Sequence, residues 1–225
     1  MTEAGRREVP QALLERIRGD LQPIRPVLRP QTRAVVVALL AVIAAIVLLS
    51  IHGARQDLPS LASPMFLGML AARIAAGSFL IFVALRDAMP AGRAGSAAVS
   101  TALAAGVAVL FLLPPVYASI LVLDSSRIHV GSGFCYALVL GTAAVPFVIV
   151  YWLITRAYPL SPLRAGLLAG LGSGVLAEAA QFVACSNARP AHTVLFHGGG
   201  ALTVALAGLL GGLALSLRRR REMSF

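Results

Sequence analysis

The chain has 225 residues; 58% belong to the apolar set AVILMFWYC, only 12% are charged, and the mean hydropathy is +0.85. That balance excludes a water-soluble globular domain and marks an all-α, polytopic membrane protein. The formal net charge of +10 comes entirely from arginine, for the sequence has no lysine, and the placement of those arginines makes the excess a topology signal before anything else.

Residues 1–9 are polar. From Pro10 to Leu21 the apolar positions Leu13, Leu14, Ile17 and Leu21 fall at helical spacing, and Pro10 suits a first-turn position, which predicts a short amphipathic helix. A helix of this length is marginal alone in water. It therefore needs a surface, either the membrane interface or the groove of a partner protein. The following QPIRPVLRPQ repeats an Arg-Pro step at Arg25-Pro26 and Arg29-Pro30. Proline at that density favours an extended, polyproline-like strand; its simplest use is a spacer ending at Arg33.

Six apolar stretches follow, each long enough for the roughly 17–25 residues that a bilayer-spanning helix needs: Ala34 to Ile51, Ala62 to Leu85, Ala97 to Leu123, Gly133 to Thr155, Leu163 to Cys185 and Thr193 to Leu217. The first starts after a polar segment and lacks a small-residue cleavage site, so it reads as a retained span. Arginines gather before it, in the second loop (Arg86, Arg93), in the fourth (Arg156, Arg164) and at Arg218 to Arg221, while the other loops hold Arg55, Arg127 and Arg189. This asymmetry orients six spans with both termini in the cytoplasm. No aromatic residue interleaves the arginines of the tail, as a single-strand stacking site would require, so no direct nucleic-acid contact is expected.

The first span is an anchor without internal charge. The second carries Arg73, whose burial costs about 2.5–3.5 kcal/mol on insertion scales and calls for a partner. Counted from the outer face at 1.5 Å per residue, Arg73 lies roughly 15 Å deep and Glu178 of the fifth span roughly 10 Å. An arginine side chain covers that offset, so an Arg73–Glu178 ion pair is expected inside the bundle, either as plain structural glue or as part of a polar pathway. Pro114-Pro115 should break the third span and Pro146 should kink the fourth. In the fifth, Gly166, Gly170 and Gly174 recur every four residues, a small-residue stripe that lets another helix come close; Glu178, Gln181 and Cys185 form a polar stripe on the same rod.

Cys135 opens the fourth span and Cys185 closes the fifth, so both fall at one depth, with His192 nearby. Two such thiols can form a disulfide in an oxidising compartment, hold a soft metal together with His192, or be inert packing. Neither belongs to a CxxC motif, and there is no HExxH, GxSxG or GxxxxGK[ST], so nothing resembles an enzyme's working set. His192 and His197, five residues apart, supply no convincing quinone or haem site.

Several blocks, in order, resemble the NrsF family of six-span bacterial membrane anti-sigma factors: DLQPIRPVLRP (Asp20 to Pro30), Cys135 followed by Pro146, ITRAYPLSPLRAGLLAGLGSGVLAEAA (Ile154 to Ala180), and Cys185 ahead of PAHTVLFH (Pro190 to His197). The chain departs from that pattern at Ser186, where proline is common, and at Phe196-His197, where an aromatic pair with Trp is common. The resemblance implies an inner-membrane protein whose cytoplasmic tail holds an ECF-type sigma factor, with Asp20, Pro23, Arg25 and Pro26 at the core of that tail. It also implies a thiol pair, Cys135 and Cys185, through which metal or oxidant stress releases the factor. Together with the apolar anchors Leu13, Leu14, Ile17 and Leu21 and the charge of Arg29, this divides the chain into a sigma-binding tail (1–33), a six-helix membrane domain (34–217) and a basic C-terminal tail (218–225). No resident cofactor is expected, a transient metal ion at Cys135, Cys185 and His192 and a homodimer are left open, and the lipid bilayer is the other partner. The alternative from another class is a small transporter or metal-handling permease using Arg73 and Glu178.

Overall fold

Proline stands at the first turn of four helices, Pro30, Pro64, Pro162 and Pro190, where its missing N–H is not needed and its fixed φ suits the helix. The computed structural model describes residues 11, 15, 29–53, 63–89, 94–114, 133–157, 159–187 and 189–222. The helices are α1 (Pro30–His52), α2 (Pro64–Asp87), α3 (Ser96–Leu112), α4 (Gly133–Arg156), α5 (Pro162–Ala184) and α6 (Pro190–Glu222); no strand occurs among the described residues. All but α3 are long and apolar enough to cross a membrane. The expected third span runs on to Leu123, and residues 115–132 lie outside the described set, so five spans stand among the described residues.

α1 starts at Pro30, earlier than the expected Ala34, because Pro30 can itself occupy the first turn. Its cap, Arg29, has φ −55° and ψ 144°, close to polyproline geometry. Gln11 and Glu15 are helical. The expected tail positions Leu13, Leu14, Ile17, Asp20, Leu21, Pro23, Arg25 and Pro26 lie outside the described residues. At the other terminus α6 stays helical through Arg218–Arg221 to Glu222, past the expected boundary at Leu217.

α5 is the axis of the bundle, buried without a break from Leu168 to Phe182. Its composition allows this: Gly and Ala present so little side chain that α2, α4 and α6 pack around it at close range. α1 lies outermost, burying only Arg33, Val37 and Ala41, and exposes Val35, Leu39, Ile43 and Ile46, an apolar exterior suited to lipid.

The closest contact is between α5 and α6. A Cβ on Gly166 would run into the Gly208 carbonyl and one on Gly170 into the Val204 carbonyl, while at Gly174 it would lie 2.7 Å from Ala201 Cα. The stripe thus meets a matching one, Ala201, Ala205, Gly208 and Gly212, of an antiparallel helix. On its other side, Gly172 faces Leu80 and Ile81 of α2, and Gly77 of α2 faces Leu176.

Two ion pairs join α2 to α5. Arg73 pairs with Glu178, and Asp87 with Arg164. Fourteen residues separate the two positions on each helix, roughly 21 Å of axial rise at 1.5 Å per residue. The helices are therefore antiparallel in one constant register. The bundle has an arginine end, with Asp87–Arg164, Arg156 and Arg219, whose Nη1 donates to the Pro159 carbonyl at 2.9 Å. At its opposite, cysteine end α1 finishes beside α4, with His52 edge-on to Phe134.

Candidate functional site

Three helix ends meet at the cysteine end. Cys135 lies in the first turn of α4. Cys185 is the C-cap of α5, its φ −89° and ψ 122° turning the chain out of the helix while its N–H donates to the Gln181 carbonyl at 2.7 Å. A short connection follows, in which Asn187 Oδ1 accepts the Arg189 N–H at 3.2 Å, and Pro190 starts α6.

α6 does not begin as a regular helix. Thr193–Gly198 is a π turn, in which the Gly199 N–H reaches back to the Val194 carbonyl. On an α-helix, at about 100° per residue, positions five apart point about 140° away from each other; a turn closed by i→i+5 bonds returns them towards one face. His192 and His197 accordingly stand together, ring centroids 5.2 Å apart and nearly perpendicular. A second π turn, Ala108–Leu112 of α3, precedes Pro114, where the expected break falls, and its Phe111 lies beside Gly198.

The side chains converge. Cys135 Sγ lies 3.7 Å from Cys185 Sγ, and Cys185 Sγ lies 3.4 Å from His192 Nε2. One ligand atom from each of Cys135, Cys185, His192 and His197 falls within 4.8 Å of all the others. Both cysteines are free and half-buried, whereas His192 is 4% and His197 2% exposed. Among the described residues neither ring nitrogen of His197 has a hydrogen-bond partner, an exception to the rule that buried polar groups are bonded. His197 is not among the metal ligands expected from the sequence, for on a regular helix the five-residue spacing would turn it away from His192.

Arg73 and Glu178 lie deeper along the same wall. Arg73 Nε donates to Glu178 Oε2 at 2.6 Å, and its Nη1 donates to the Met69 carbonyl at 3.0 Å. The guanidinium sits 4.1 Å over the Phe182 ring, which stacks on Phe66 with centroids 4.6 Å apart. Both charges are 1% exposed. Glu178 Oε1 and both amide atoms of Gln181 are buried without hydrogen bonds, so a polar seam runs along α5 from the ion pair to Cys185. Asp87–Arg164, which the sequence reading did not single out, is a fork: Arg164 Nε donates to Asp87 Oδ2 at 2.8 Å and Nη2 donates to Oδ1.

The arrangement offers two thiols close enough to be joined or bridged, two imidazoles beside them, and a neutralised charge pair behind. Among known proteins, a family model described as NrsF, negative regulator of sigma F, matches residues 18–217. No curated protein and no solved structure matches.

Proposed function

The chain belongs to the NrsF family of negative regulators of sigma F, and from that premise we propose that it is an inner-membrane anti-sigma factor. Its cytoplasmic tail holds an ECF-type sigma factor away from RNA polymerase, and the factor is freed when metal or oxidant acts on Cys135 and Cys185. The family match carries this reading, since it begins at residue 18, inside the tail, and runs through both cysteines. In the tail, Leu13, Leu14, Ile17 and Leu21 supply apolar anchors, and Asp20, Pro23, Arg25, Pro26 and Arg29 a charged segment whose prolines restrict the backbone and so limit the entropy lost on binding a partner.

Two features support the release step. The thiols stand 3.7 Å apart, and they belong to the ends of two different helices, so joining them alters how those helices pack. An organic hydroperoxide would take two electrons and two protons from the pair, leaving a disulfide, an alcohol and water. Arg73 and Glu178 neutralise each other at the α2–α5 contact, which favours their role as a packing element over that of a transport pathway.

The test is co-purification from membranes of the source bacterium carrying the tagged full chain. One sigma factor should come with the native chain and be lost when Leu13, Leu14, Ile17, Arg25 and Arg29 are changed to Ala. Equal recovery with both chains, or recovery of none, would overturn the proposal.

A further inference from the structure

We propose that Cys135, Cys185, His192 and His197 form a four-coordinate site for a divalent cation of the zinc class. This deepens the reading of the cysteines as the responsive pair by naming the ion's chemistry and two further ligands. The spacing supports it. A tetrahedral ion with metal–sulfur bonds of about 2.3 Å and metal–nitrogen bonds of about 2.0–2.1 Å holds two sulfurs about 3.8 Å apart and a sulfur and a nitrogen about 3.5 Å apart. The sulfurs here are 3.7 Å apart and Cys185 Sγ is 3.4 Å from His192 Nε2, with all four candidate atoms within 4.8 Å.

The second, independent observation is His197. Its imidazole is 2% exposed, both its nitrogens lack hydrogen bonds, and the π turn aims it into the cluster beside His192. A buried, unpaired imidazole is costly; as a ligand its lone pair gains a partner.

Charge selects the ion. Two thiolates and two neutral imidazoles carry a charge of −2, so a divalent cation makes the centre neutral, as a low-dielectric setting demands. Binding releases two protons, one from each thiol. Among the described residues the donors are sulfur and nitrogen with no carboxylate, a set that selects a borderline or soft metal over magnesium or calcium. The half-buried cysteines lie at helix ends, giving the ion an entry from the end of the bundle, and the four ligands tie α4, α5 and α6 together there.

The experiment is a Co²⁺ titration of the purified, reduced full-length protein in detergent, without any sigma factor present, followed by Zn²⁺ competition. Expected are one Co²⁺ per chain, a thiolate-to-metal charge-transfer band, strong visible bands of tetrahedral Co²⁺, and their loss on adding Zn²⁺. His197→Gln should keep the thiolate band, lose tetrahedral intensity and weaken binding by at least the about 10–100-fold that follows from losing a mere supporting group. His52→Gln, at the same end, should change nothing. Absence of the thiolate band in the native protein, or native affinity in His197→Gln, overturns the site. Protection of both thiols of the native chain from maleimide by Zn²⁺ but not by Mg²⁺ is a further requirement that needs no variant. Because metal alone is read, failure here leaves sigma-factor capture untouched, and failure of capture leaves this titration unchanged.

Discussion

Arg73 can be buried because three groups meet its guanidinium: the Glu178 carboxylate, the Met69 carbonyl and the face of Phe182. Removing one partner of a buried pair leaves an uncompensated charge and costs about 3–5 kcal/mol, whereas replacing both with apolar groups is often close to neutral. Glu178→Gln should therefore lower stability to detergent unfolding by about that amount, and Arg73→Met with Glu178→Leu should recover most of it; a Glu178→Gln protein as stable as the native one would contradict the pairing's importance. At the cysteines, a disulfide bond of about 2.05 Å requires sulfurs now 3.7 Å apart to close. A hydroperoxide should remove two hydrogens from the mass of the native chain and none from Cys135→Ser or Cys185→Ser. Depth counting from the helix ends brings Arg73 to Glu178 and Cys135 level with Cys185, because axial rise is a regular property of a helix. His197 escaped it, since nothing in the residue pattern announces an irregular turn. Asp87 escaped it too, as one acid beside Arg86 at a helix end looks ordinary until its register with Arg164 is seen.

Between elements, the α5–α6 contact sets the geometry of the site, for Cys185 ends one helix and His192 opens the other. Backbone contact at Gly170 leaves no space for a side chain, and overpacking of this kind costs about 1–3 kcal/mol or more. Gly170→Val should destabilise the bundle by at least that amount and blunt thiol-dependent induction; Gly141→Ala, with no atom near its added carbon, should match the native protein in both. A folded, fully inducible Gly170→Val chain would show that close α5–α6 packing is dispensable. The stripe of Gly166, Gly170 and Gly174 is legible in sequence because its period is local, while its partner surface of Ala201, Ala205, Gly208 and Gly212 belongs to a helix rich in small residues at many positions. The π turns at Ala108–Leu112 and Thr193–Gly198 shift the helical phase of the residues after them, so faces assigned on a constant period go astray there.

Across the whole molecule, α2 and α5 are clasped at two levels in a single antiparallel register, and α6 is laid along α5 by glycine contacts. Under the proposed mechanism, a change at the cysteine end would act on packed helices that reach the arginine end, where α1 starts. Coupling of this kind requires an element with two arrangements that both sites bias; the junction of α4, α5 and α6 at Cys135 and Cys185 is the proposed one. The helical class and five candidate spans are legible from hydropathy alone, whereas the role proposed for the tail rests on family membership and its residue pattern. The most direct measurement is the amount of sigma factor retained by the full chain in membranes, before and after exposure to Zn²⁺ or a hydroperoxide, for the native protein and for Cys135→Ser with Cys185→Ser. Expected is full retention by both before exposure, release from the native chain afterwards, and continued retention by the double variant. A native chain that never holds a sigma factor, or a double variant that releases it as readily as the native one, would contradict the proposed mechanism.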